Sequence, residues 1–135
     1  MRKSIFDSIF AAGGALAAFL FGELNGLFYA LIAIVVLDYV TGVLAAIVKK
    51  QLSSEVGFKG IVKKIFVFVI VSIAHIIDVH VIGNSDILRS AAICFFIANE
   101  ALSILENAGS MGLPIPKKLL NILEQLKNND KQEEN

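Results

Sequence analysis

The sequence predicts an all-α integral membrane protein with about four transmembrane helices and a short C-terminal amphipathic helix. Three observations carry this prediction. The composition is too apolar for a soluble domain of this size: 56% of 135 residues are apolar and 18% are charged, against about 45–50% and about 25% in soluble domains. Four apolar stretches approach the roughly 20 helical residues that cross a bilayer core. The basic residues cluster in alternate connections between those stretches.

The first stretch is Ile5 to Gly22, interrupted only by Asp7 and Ser8 near its start. It is short and rich in small residues, from Ala11 to Ala18. Three readings stand side by side. It is a spanning helix, packing through the small-xxx-small pairs Gly13/Ala17 and Gly14/Ala18. It is a helix lying on the membrane surface. Or it is a signal peptide, with Arg2 and Lys3 ahead of the apolar run and Ala15-Leu16-Ala17 as the cleavage triplet.

The second stretch, Gly26 to Val48, carries one charge, Asp38. Its thirteen Leu, Ile, Val and Phe residues supply about −4 to −8 kcal/mol of insertion energy against roughly +3 for a central Asp. It inserts. The third stretch, Ile65 to Ile82, carries His75, Asp78 and His80 late in the run. The fourth, Ile87 to Leu105, carries Arg89, Asn99 and Glu100. Its nine strongly apolar residues return only roughly −3 to −5 kcal/mol, which leaves it about neutral by itself. Such a helix enters the membrane with help from its neighbours.

Orientation follows from the basic residues. Arg2 and Lys3, then Lys49, Lys50, Lys59, Lys63 and Lys64, then Lys117, Lys118, Lys127 and Lys131 all fall on one side of a four-span chain. The connections Glu23 to Asn25 and Gly83 to Asp86 hold no Lys or Arg. The positive-inside rule makes the basic side cytoplasmic, with both termini there. The segment Lys49 to Lys64 reads as a cytoplasmic topogenic loop, or as a grip on anionic lipid.

The chain divides at about residue 112. Residues 1–112 form the transmembrane part and 113–135 a cytoplasmic part. Pro116 suits a first helical turn. Leu119, Ile122, Leu123 and Leu126 follow helical i, i+3, i+4, i+7 spacing. This helix packs on its own bundle or on a copy, or its lysines meet anionic head groups. Asn128 to Asn135 reads as a solvated, frayed end.

Ionisable groups inside a membrane are costly and face protein or water. At 100° per residue, Arg89 and Glu100 point within about 20° of one direction, with Phe96, Ser103 and Asn107 near the same line. Lys64, Phe68, Val71/Ser72, His75 and Asp78 share a face of the third helix, and Asp38, Thr41, Gly42, Ala45 and Lys49 a face of the second. The candidate intramembrane polar stripe is Asp38, His75, Asp78, Arg89 and Glu100. Either a single bundle turns these stripes inward and pairs them, for instance Arg89 with Asp78, or copies associate and the stripes line a shared wet surface.

Enzyme chemistry finds no support. His75 and Asp78 can meet, but His80 lies about 140° away and nothing completes a metal set. No G-x-S-x-G surrounds Ser72. Cys94, among Ile93, Phe95 and Phe96, reads as a buried inert thiol. Gly57 to Gly60 is not a phosphate loop. No cofactor is expected, and zero net charge argues against a nucleic-acid partner.

Several segments resemble the toxin-secretion and phage-lysis holins (phage holin family 4). Asp38 to Leu44 and Leu52 to Lys64 look like that family's signature stretch. Ile97 to Asn107 and Gly112 to Leu119 are similar to its last membrane segment and exit. The resemblance runs in order from about Glu23 to Lys127. It implies a protein that oligomerises in the bacterial cytoplasmic membrane and opens lesions. A cytoplasmic endolysin, or a large toxin without a signal peptide, then escapes, with no direct contact required. It implies no catalytic residues. A small ion channel or transporter subunit, or a membrane anchor for a cytoplasmic partner, is the alternative.

Overall fold

The computed structural model describes the backbone of residues 1–133 and the side chains of residues 1–129. Five helices follow one another: α1 (Arg2–Phe21), α2 (Gly26–Val48), α3 (Ser54–Ile77), α4 (Ile87–Ser110) and α5 (Lys117–Glu133). A π-helical turn, Asp78–Ile82, extends α3. The first four helices are each long and apolar enough to cross a membrane.

Local chemistry sets the boundaries. The Asn25 side chain accepts a hydrogen bond from the Phe28 N–H and starts α2. Ser53 does the same for α3 through the Val56 N–H. Each satisfies a donor that the first turn leaves orphaned. Gly22 and Gly83 end helical segments at φ +78° and +93°, values that favour glycine over residues with a Cβ. Pro114 and Pro116 separate α4 from α5.

Two boundaries depart from the apolar runs. Helix α3 begins at Ser54, well before Ile65. The basic segment is therefore largely helical, not a loop, because lysines on a helix surface do not oppose helix formation. Helix α4 continues past Leu105 to Ser110. Helix α5 starts where Pro116 places it and continues to Glu133. Residues 128–133 therefore belong to a helix in place of the expected frayed end, and the last two residues lie outside the described residues.

The core is an apolar layer of Phe28, Leu31 and Val35 from α2, Val67 and Val71 from α3, and Ile93 from α4. Phe21, Phe28 and Phe68 form an aromatic cluster on it, with ring centroids 5.0 to 6.1 Å apart. Most other large apolar side chains point outward, as expected where hydrocarbon, not water, is the solvent.

Helix α1 contributes no buried residue. It meets the bundle at its end, through Phe21, and Gly13 and Gly14 face open space. The small face of α2 is different. Gly42 lies against Asn107 of α4 and Ala45 is buried, so that face is spent inside the bundle. Cys94 corrects the reading of it as buried: it is exposed on the outer side of α4, because its neighbour Ile93 takes the inward position.

Candidate functional site: two buried polar clusters

Asp38, Lys64 and Glu100 come from three different helices. Each lies about ten residues, or about 15 Å of helix, from the bundle end where α2 and α4 finish and α3 begins. They therefore share one layer. The Lys64 ammonium donates to Asp38 Oδ2 and, at 2.5 Å, to Glu100 Oε2. Asp38 and Glu100 are both 4% exposed. Asn107 Nδ2 donates to Asp38 Oδ1 at 3.2 Å and to Thr41 Oγ1 at 3.0 Å. The Thr41 hydroxyl donates to the Asp38 carbonyl at 3.1 Å. A lysine between two carboxylates offsets part of the large cost of removing each charge from water.

Beside this cluster a cavity of about 190 Å³ opens between α2, α3 and α4. Asp38, Lys64, Ser103 and Asn107 contribute its polar wall. It exists because Gly42, Gly57 and Gly60 bring no side chains into the space, while the Tyr39 ring packs on Gly60.

The second cluster lies farther along α4, about 16 Å from Glu100 at 1.5 Å per residue. Arg89 is 2% exposed. Its guanidinium donates through Nε to the Phe21 carbonyl at 2.5 Å and through Nη2 to the Glu23 carbonyl at 2.7 Å. It also lies 5.9 Å from the Phe28 ring centre, within cation–π range. Asp78 is fully buried. Its two carboxylate oxygens accept from the backbone N–H groups of Leu88 and Arg89 at 3.1 and 2.8 Å. Asp78 thus caps α4 from the end of α3, where the helix dipole favours an anion.

The expected Arg89–Asp78 side-chain pair is therefore not the arrangement found. Arg89 turns its guanidinium to the carbonyls of Phe21 and Glu23 at and just after the end of α1, with Asp86 Oδ1 3.7 Å from Nη1, and Asp78 binds backbone. The reason is the α4 N-terminus, whose free N–H groups compete for the carboxylate. His75 sits in this second region, its ring against Gly22. His80 lies outside it, beside Phe19, with ring centroids 5.9 Å apart.

The five stripe residues thus form two groups. Asp38 and Glu100 join through Lys64, while Arg89, Asp78 and His75 gather around the end of α1. The apolar core layer lies between. Lys64 was absent from the candidate set, because it borders the apolar run and reads as part of a basic loop. Its position on the Phe68, Ser72, His75 and Asp78 face is the signal that points inward. Among the described residues, no buried side-chain nitrogen or oxygen lacks a hydrogen-bond partner. The arrangement presents no nucleophile and base aimed at a common point. Its chemistry is charge satisfied inside a low-dielectric body.

Membrane-length helices enclosing paired charges define a multi-pass α-helical membrane protein. The chain belongs to the bacteriophage holin family, whose sequence model matches residues 15–128. That family is one of membrane proteins, not of enzymes. A probable holin of Bacillus phage phi105 is 35% identical over 115 residues, covering 85% of this chain and 84% of its own. An uncharacterized protein of Halalkalibacterium halodurans is 44% identical over 120 residues, covering 86% of this chain and 89% of its own. A 14.9 kDa protein from the nagH 3′ region of Clostridium perfringens is 36% identical over 115 residues, covering 85% and 87%. No solved structure matches the chain.

Proposed function

We propose that this protein acts as a holin in the bacterial cytoplasmic membrane, with both termini on the cytoplasmic side. Copies accumulate, associate and open lesions through which a cytoplasmic endolysin or a large toxin escapes. Family membership and the phage phi105 relative support the reading. The structural observation that carries it is the closure of the single chain. The buried polar side chains are satisfied within the bundle, and an apolar layer separates the two clusters. One copy has no route for a protein, so release requires assembly and rearrangement.

In this mechanism Asp38, Asp78, Arg89 and Glu100 are satisfied within each copy before triggering, with His75 packed beside Gly22. They turn to a shared aqueous surface in the lesion, where water replaces the partners they lose. The open small-residue face of α1 supplies contact between copies.

The test is induced expression in a bacterium, with and without a signal-less cytoplasmic cell-wall hydrolase. Turbidity and escape of a folded cytosolic reporter are followed together. Abrupt, delayed lysis that needs both proteins is the expected result. Depolarisation without hydrolase or reporter escape replaces this reading with a small ion channel. A sealed membrane containing the protein replaces it with an anchor for a cytoplasmic partner.

A further inference from the structure

Helix α5 packs one side on α4 and leaves an apolar strip beside it uncovered among the described residues. Leu120, Leu123 and Lys127 are half-buried, and α5 packs on α4. One position back at each step, about 100° around the helix, lie Leu119, Ile122 and Leu126. These are 44%, 47% and 52% exposed. An uncovered apolar strip beside a packed side is more than a solvated cytosolic helix needs.

Its position and charge say what covers it. The link from α4 to α5 is only Met111 to Pro116, and Ile115 packs tightly on Gly109. Helix α5 therefore stays beside the end of a membrane-spanning helix. Its first turn carries Lys117 and Lys118, both exposed, at the end where the helix dipole is also positive. Exposed Lys49, Lys50, Lys59 and Lys63 lie in the stretch where α2 ends and α3 begins. Toward the C-terminal end the sequence carries Glu124, Asp130, Glu133 and Glu134 against Lys127 and Lys131. The helix is thus polarised, with its basic end next to the membrane-embedded part of the chain.

We infer that α5 is an interfacial helix that docks on anionic lipid. Leu119, Ile122 and Leu126 enter the acyl boundary, and Lys117 and Lys118 hold lipid phosphates. Burial of the strip and attraction of the lysines act together, as in peripheral amphipathic helices.

The chain has no tryptophan, so Ile122→Trp places a single reporter on the strip of the full-length protein. The protein is reconstituted in vesicles of phosphatidylcholine alone or with phosphatidylglycerol, each with acyl chains brominated in matched proportion. The expected result is blue-shifted emission, with bromine quenching that is strong with phosphatidylglycerol and weak without it. Lys117→Gln with Lys118→Gln is expected to weaken docking roughly 30-fold, and about 1 M salt to reproduce that loss. Equal quenching in both vesicles overturns the anionic-lipid requirement. Water-like, unquenched emission in both leaves the strip in solvent and overturns the proposal. Blue, unquenched emission that follows the protein-to-lipid ratio assigns the strip to a second copy and also overturns it. An Asn121→Trp reporter on the polar side checks that α5 is folded: it is expected to stay water-like and unquenched in every vesicle.

Discussion

Arg89 donates a hydrogen bond through Nε to the backbone carbonyl of Phe21, 2.5 Å away and 68 residues earlier in the chain. With the bond to the Glu23 carbonyl, it holds the end of a helix that buries no residue of its own. The side chain acts as a remote C-terminal cap, satisfying the Phe21 carbonyl that the last turn leaves orphaned. Asp78 positions it by binding the Arg89 N–H.

Removing the guanidinium should therefore loosen α1 before the rest of the bundle. Arg89→Ala leaves the Phe21 carbonyl without a donor, at about 1–3 kcal/mol if water cannot reach it, while the Glu23 carbonyl keeps the Asn25 N–H. The expected outcome is faster proteolysis in the Gly22–Asn25 connection, with the α2–α4 core retained. Arg89→Lys restores charge but not the fork that spans two acceptors, and should recover only part of the protection. Unchanged cleavage rates in both variants would remove the capping role.

Gly22 should tolerate no side chain. An added Cβ would lie 2.7 Å from the His75 ring, at a φ of +78°. Gly22→Ala should cost at least about 1 kcal/mol from the backbone alone. Gly13→Ala is the contrast, since its Cβ meets nothing within 4 Å. In a helix interior that change should stabilise by roughly 0.5–1 kcal/mol. Denaturant titration in detergent micelles separates the two signs.

Lys64 should be the most sensitive position of its cluster. Lys64→Met leaves Asp38 and Glu100 buried without their shared cation, a loss of about 3–5 kcal/mol. Adding Asp38→Asn and Glu100→Gln removes the stranded charges and should recover most of that loss. A mutant cycle measures the recovery as coupling between these sites. Additive losses across the cycle would show that the cation does not unite them.

The same cluster gives a functional prediction that rests on the proposed lesion. Asp38→Leu and Glu100→Leu remove groups that would face water after assembly, while also changing the closed bundle. Onset of lysis in the hydrolase assay should shift, and reporter release should fall. If timing and release both stay unchanged, the buried charges are not the switch.

Association should depend on the face of α1 that the bundle leaves open. Gly13→Leu places a bulky side chain beside Gly14, Ala17 and Ala18, at a position where an added Cβ meets nothing within 4 Å. Cross-linking in membranes should then trap fewer oligomers, while the micelle unfolding curve stays within about 1 kcal/mol of the parent. Equal cross-linking would place the contact between copies elsewhere.

The helical class, four membrane-length segments and the start of α5 were legible in the sequence. They depend on local properties: runs of apolar residues with few charges over a bilayer's thickness, and glycine and proline at exits. The polar face of α4 was legible for the same reason, since helical periodicity is local; whether it turns inward was not. The partners on that face were not. Lys64 meets Asp38 and Glu100 across 26 and 36 residues, and only the packing of α2, α3 and α4 in register decides that it leaves the basic segment for the interior. Arg89 finds backbone carbonyls, acceptors that every residue carries and that no residue type marks. The start of α3 at Ser54 escaped because hydropathy locates apolar surface, whereas a helix continues wherever its backbone hydrogen bonds close. Sequence periodicity determined which sides of the helices are polar; tertiary packing decided which polar groups meet, because each buried charge must find the partners that its own neighbours leave within reach.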